Sequence, residues 1–155
     1  MLLKDKIDLG FTLDFNKVSE ILDTGNFPSV HSGQWFDSHA LSGSFQINGI
    51  HNHPIFFNIF KYCQDNFNKS NVRADLALFL SFQSGVKSNT HRDDYDVYII
   101  GALGRTLYKV EDKEYIIEPG QILHIPKGHL HVAIGLDPRI VMSYGLGIES
   151  STLKL

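Results

Sequence analysis

Gly120-Gln121-Ile122-Leu123-His124-Ile125-Pro126-Lys127-Gly128-His129-Leu130-His131 is the stretch that decides the fold. Pro119-Gly120 makes a turn, and Pro126-Lys127-Gly128 makes the next. Between the two turns lies a short apolar strand, Gln121 to Ile125, and His131 opens the strand that follows, His131 to Ile134.

The same punctuation continues in both directions. From Asp75 the apolar period is two. Leu76, Leu78, Leu80 and Phe82 alternate with Ala77, Phe79 and Ser81, so both faces are apolar and the strand is expected to be central. Val97 to Ile100, Arg105 to Val110, Glu114 to Ile117 and Ile140 to Gly145 read as further strands. Their turns are Gly101 to Gly104, Glu111 to Lys113 and Asp137-Pro138. Many short strands with regular turns and no βαβ pattern predict a mainly β sandwich or barrel.

The chain before Asn71 is less regular. Asn16 to Leu22 is a candidate short helix with Val18, Ile21 and Leu22 inward. Pro54 to Phe67 is a stronger one: Pro54 suits a first turn, and Ile55, Phe56, Ile59, Phe60 and Cys63 fall at helical spacing. This helix is expected to lie against a sheet, and Phe45 to Ile47 to form an edge strand. Trp35 and Phe36 read as core or lid. We expect one domain over residues 1–155, with a helical and irregular part at 1–71 and a β core at 72–150.

Composition excludes some function classes. The 155 residues carry a formal net charge of -3 and no long basic run, so binding to bare nucleic acid by bulk electrostatics is not expected. Cys63 is the single cysteine, which rules out an internal disulfide. No apolar run reaches the ~18 residues of a membrane span, and the first residues carry no long apolar leader. A cytoplasmic protein is the expectation. Eight histidines direct attention to metal chemistry.

His91, Asp93 and His131 are the candidate ligands. His91 and Asp93 are two residues apart, so on an extended strand both side chains share a face while Arg92 points away. A neighbouring strand that begins at His131 brings the third ligand. Two imidazoles and a carboxylate cap one face of an octahedral metal and leave the other open for water, O₂ or a chelating co-substrate.

Gly120-x5-Pro126-x-Gly128-x2-His131 resembles the second cupin motif. The run from Thr90 to Arg105, with His91-x-Asp93, Tyr95-Asp96-Val97 and the Gly104-Arg105 turn, resembles the JmjC-type cupins, closest to the bacterial ribosomal-oxygenase-like enzymes. Met142 to Gly147 also resembles their last strand, and the likeness covers about residues 75–148. It implies a double-stranded β-helix (jelly roll) with one or two N-terminal helices packed on it. It also implies Fe(II) on His91, Asp93 and His131, with 2-oxoglutarate as co-substrate. Zn or Ni could occupy the same ligands on purification. The family pairs the distal carboxylate of 2-oxoglutarate with a Lys or Arg early in the strand after the Gly turn. That position is Thr106 here, and Arg105 and Lys109 have the opposite parity. Thr106, Ser88 and Tyr108 are the groups that could hydrogen-bond the co-substrate instead. The alternatives are a metal-binding cupin with 2-oxoglutarate-independent chemistry, as a dioxygenase or isomerase, and a non-catalytic ligand-binding cupin.

Parity offers Ile99 or Tyr98, together with His124 and Tyr144, as further cavity residues, and a satisfied core histidine is an equal reading of His124. His129 reads as a surface loop residue. His51 and His53 read as loop or helix entry. Asp96 reads as a turn residue that could orient a ligand histidine. A small-molecule or peptide substrate is expected, and a homodimer only by analogy with other cupins.

Overall fold

Alternating apolar residues from Ala74 onward become strands with two buried faces. A computed structural model describes residues 1–4, 6–25, 29–30 and 43–147; Trp35 and Phe36 lie outside the described residues. The strands are β1 (Ser29–Val30), β2 (Phe45–Asn48), β3 (Ala74–Ser81), β4 (Val97–Leu103), β5 (Thr106–Val110), β6 (Lys113–Ile117), β7 (Ile122–Ile125), β8 (His131–Gly135) and β9 (Arg139–Leu146). One sheet runs β1-β2-β3-β9-β4-β7 and the other β6-β5-β8. Every pairing within them is antiparallel. This is a mainly β, jelly-roll architecture.

β3 is central, between β2 and β9. β2 is not the edge strand its sequence suggested, because β1 pairs outside it. Near β7 the chain start closes the sheet. Leu2 bridges Leu123, Leu3 N–H donates to the Ile122 carbonyl, and Ile7 N–H donates to the Gly120 carbonyl, both at 2.9 Å. Covering the strand in this way removes an exposed row of pairing groups. Gly120 has φ 86°, and a Cβ there would sit 2.9 Å from the Ile7 carbonyl oxygen, so the turn that decides the fold needs glycine twice over.

Among the described residues, two helices cover the outer face of the large sheet. Helix α1 (Phe15–Thr24) starts where the Asp14 carboxylate accepts the Lys17 N–H at 2.8 Å, and it buries Val18 and Ile21. Helix α2 (Phe57–Phe67) follows a 3₁₀ turn at Pro54–Phe56 with Pro54 at its start. Phe56, Ile59 and Cys63 pack with Leu76, Leu78, Ile100, Ile140 and Met142 in one cluster. Each such large side chain contributes about 1.5–3 kcal/mol when fully buried. A second cluster, including Val97, Ile99, Tyr108, Leu123 and Val141, lies between the two sheets. The functional cavity opens beside this inner cluster.

Candidate metal centre

His91 and His131 face each other across an isolated antiparallel bridge. Each N–H donates to the other's carbonyl, at 3.0 and 2.9 Å. Directly opposed residues project to the same side, and here the ring centroids lie 4.3 Å apart. The segment around His91 is a single bridge and not a full strand, yet the two-residue spacing still brings Asp93 to the same place. Its carboxylate oxygens are 3.6 Å from His91 Nε2 and 3.4 Å from His131 Nε2. One ligand atom from each of the three residues lies within 4.8 Å of the others, so the group could hold a metal ion.

The second ring nitrogens are already committed. His91 Nδ1 is 2.7 Å from the Asn89 carbonyl oxygen, and His131 Nδ1 is 2.9 Å from that of His129. A carbonyl only accepts, so each Nδ1 carries the proton and each Nε2 is left to face Asp93 or a cation. Burial lowers the His131 pKa, but the hydrogen bond to Asp93, the His129 carbonyl and the Asp93 charge raise it by more. A divalent ion between these groups would take the place of a proton on His131 Nε2.

Arg92 points away, as alternation requires, and it has work of its own. Its guanidinium donates to the Gly128 carbonyl at 2.9 Å and lies 3.4 Å from Glu111. Glu111 in turn accepts the Leu130 N–H at 2.7 Å, while Gly128 N–H donates to the Asp93 carbonyl at 2.9 Å. The Pro-x-Gly turn is thereby laced to the His91–Asp93 segment. Glu111, read from sequence only as a turn residue, is part of that lacing.

The three candidate ligands line a cavity of about 480 Å³. His91 is 46% exposed in its side chain and Arg139 is 2% exposed, so the cavity opens at the ligands and closes at the arginine. Ile99, Ser88 and Tyr108 line it. The Ser88 hydroxyl already accepts the Ala133 N–H at 2.9 Å. Thr106 is fully buried beyond the lining, and its hydroxyl has no partner.

His124 and Tyr144 do not line the cavity; both lie on the opposite face of the large sheet. The His124 ring stacks on Tyr98 at 4.4 Å, with Nε2 3.1 Å from Asp96. Tyr144 donates its hydroxyl to Gln64 of α2 and meets Phe60 edge-on. Asp96 therefore orients His124 and accepts the Lys127 N–H, and neither partner is a candidate ligand. Alternation sorts residues into two sets correctly, but it does not say which set meets the helices. His129 is exposed, and His53 accepts the Ile55 N–H at the entry to α2.

Arg139 is the residue that sequence reading missed. It follows Asp137-Pro138 and looks like one more turn cation. Its parity with Val141 and Ser143 was the available signal, since both of those face inward. Arg139 lines the cavity, and its Nε has no partner. Its Cδ and Nε lie 3.3 Å from where a Cβ on Gly135 would be. Burial pushes the Tyr108 phenol up in pKa, while the charge and hydrogen bond of Arg139 oppose this. Arg105 points outward and pairs with Asp137 at 2.8 Å.

Solved structures share this arrangement of strands. Escherichia coli ribosomal oxygenase YcfD in complex with cobalt and succinic acid matches with a TM-score of 0.73 at 21% identity, over 98% of this chain and 49% of that one. This chain shares the fold of that oxygenase. A second YcfD structure gives 0.72 at 22% identity, over 98% and 48%, and a third gives 0.59 at 24%, over 70% and 33%. The chain thus spans about half the length, or less, of the YcfD structures whose fold it shares. No family model and no curated protein sequence matches it. No helix among the described residues is long and apolar enough to cross a membrane.

Proposed function

We propose that this chain is a metal-dependent oxygenase, with Fe(II) held by His91, Asp93 and His131 and 2-oxoglutarate as co-substrate. One observation carries the reading: two imidazoles and a carboxylate converge at the open end of a cavity, with both Nδ1 protons anchored on main-chain carbonyls. Fe(II) on such a face would supply O₂ activation, coupling oxidation of a C–H bond to decarboxylation of the 2-oxo acid to succinate. The chain's own residues do the rest. Asn89 and His129 carbonyls orient the ligand rings. Tyr95, Val97 and Ile99 wall the cavity and limit water, and Ser88 and Tyr108 add polar groups to its lining. The YcfD structure with cobalt and succinic acid supports the reading by likeness of fold. The substrate oxidised is a small molecule or peptide that reaches the exposed His91 side.

Anaerobic addition of Fe(II) and 2-oxoglutarate is expected to give a weak visible charge-transfer band that disappears in His91→Ala. No band, together with no succinate formed in air, would sink the proposal. A metal-dependent cupin that works without a 2-oxo acid is favoured by one feature, the neutral Thr106 where the resembled family has a basic residue. Stoichiometric metal without any response to 2-oxoglutarate would select it.

A further inference from the structure

We propose that Arg139, surrounded by Tyr108, Ser81 and Thr106, is a carboxylate-binding subsite at the closed end of the cavity. Its ligand is the far carboxylate of a short organic diacid whose other end reaches the metal centre. Only the metal end of this proposal rests on the oxygenase reading.

The first argument is the unpaired cation. Arg139 is 2% exposed, and among the described residues no carboxylate pairs with it. A buried charge is costly unless it is paired and hydrogen-bonded. The protein supplies one neutral partner, the Tyr108 phenol, and leaves Nε free. An anion from outside would complete the set.

The second argument is that other orphaned groups share the corner. Ser81 lies directly across from Arg139 on β3, and its buried hydroxyl has no partner. Thr106 lies across from Gly135 on β5, under the Arg139 side chain, and its hydroxyl is also unmet. Three unsatisfied polar groups from three strands are rare in a packed interior, where nearly all are paired. Gly135 has no side chain, so the guanidinium stem can cross β8 at 3.3 Å.

The third argument is spacing. His131 and Gly135 are four residues apart on β8, roughly 13 Å of strand. Tyr108 faces Ala133, midway between them. Imidazoles reach into this span from one end and the guanidinium from the other, leaving room for a short diacid. The cation missing at Thr106 is thus supplied from β9, on the opposite sheet. A guanidinium fork matches a carboxylate in two parallel hydrogen bonds.

The test uses the full chain loaded with Co(II), in calorimetric titrations with 2-oxoglutarate and with pyruvate. Pyruvate keeps the 2-oxo acid head and lacks the far carboxylate. We expect 2-oxoglutarate to bind about ten- to a hundredfold more tightly than pyruvate, the scale of a charge-assisted pair. Arg139→Met is expected to erase that preference and to leave Co(II) affinity unchanged. It should still fold, because an apolar chain replaces an unpaired buried charge. Should it not fold, Ser81→Ala with Thr106→Val serves instead, with a several-fold loss for 2-oxoglutarate and none for pyruvate. Equal affinity for the two acids in the wild type, or an undiminished preference in these variants, overturns the subsite while Co(II) binding upholds the metal centre. Arg139-dependent binding of 2-oxoglutarate without Co(II) binding upholds the subsite and overturns the oxygenase reading.

Discussion

The two faces of the six-stranded sheet both carry buried or half-buried polar groups, and they treat them differently. On the outer face, Tyr144 donates to Gln64 and His124 is held by Asp96 under a stacked Tyr98. On the inner face, Arg139 Nε, Ser81 Oγ and the facing Thr106 Oγ1 have no partner. A satisfied polar group stiffens the fold and fixes where a helix docks. An unsatisfied one lowers stability and persists where something outside the chain completes it. The contrast marks the Arg139 corner as a candidate site without reference to any relative.

The largest expected effect lies at the open end of the inner face. His131→Ala should weaken Co(II) binding by more than about a hundredfold, beyond the 10–100-fold typical of residues that only orient ligands. Titration of the Co(II) visible absorption reads this directly, and an unchanged affinity would remove His131 from the metal centre. On the outer face, Tyr144→Phe is expected to cost about 1–2 kcal/mol of unfolding free energy, with binding of Co(II) and 2-oxoglutarate untouched. Denaturant titration of both proteins measures it. Thr106→Val, opposite the inner face on β5, removes an orphan hydroxyl and should be neutral, or stabilising by up to ~1 kcal/mol. If Thr106→Val proves as costly as Tyr144→Phe, the contrast between the faces fails.

The smallest effect is a pH dependence at the rim. Burial lowers the pKa of His51 from 6.5, with the Asp75 charge opposing. Burial raises that of Asp75 from 3.8, with the His51 charge opposing. For His51 the unfolded chain takes up the proton first, so stability is present at neutral pH and falls as pH drops through the window just below 6.5. For Asp75 the folded chain holds the proton longer, so stability falls as pH rises through the window just above 3.8. His51→Phe keeps the ring against Phe60, which it stacks on at 4.5 Å. The Tm of the wild type should therefore fall relative to that of the variant from pH 7 to pH 5.5. A constant difference would mean that His51 titrates alike in both states.

Much of this was legible from residues alone. The strand order of turns, the helix from Pro54 and the convergence of His91, Asp93 and His131 follow from periods of two and 3.6 and from turn chemistry. The single His91 bridge was read as a strand, and the error was harmless because side-chain direction depends on spacing and not on how far pairing extends. The sequence leaves the side of His124 open, and misleads for Tyr144, for a different reason. Their alternation is regular, but both faces of β7 and β9 are apolar, so hydropathy could not say which face met α2. Arg139 escaped notice because a lone arginine after Asp-Pro looks solvated; only its inward neighbours Val141 and Ser143 reveal its face.

What the sequence determined by itself is local: where strands turn, which residues share a side, and that a His-x-Asp pair and a distant histidine suit one metal. These depend on backbone geometry within a few residues. The tertiary structure alone decided which side of each strand is inside, that Thr106 and Arg139 meet at Gly135, and that their polar groups lack partners. Those facts arise from the stacking of two sheets, which brings together residues far apart in the chain, and burial without a partner exists only once the second sheet is in place.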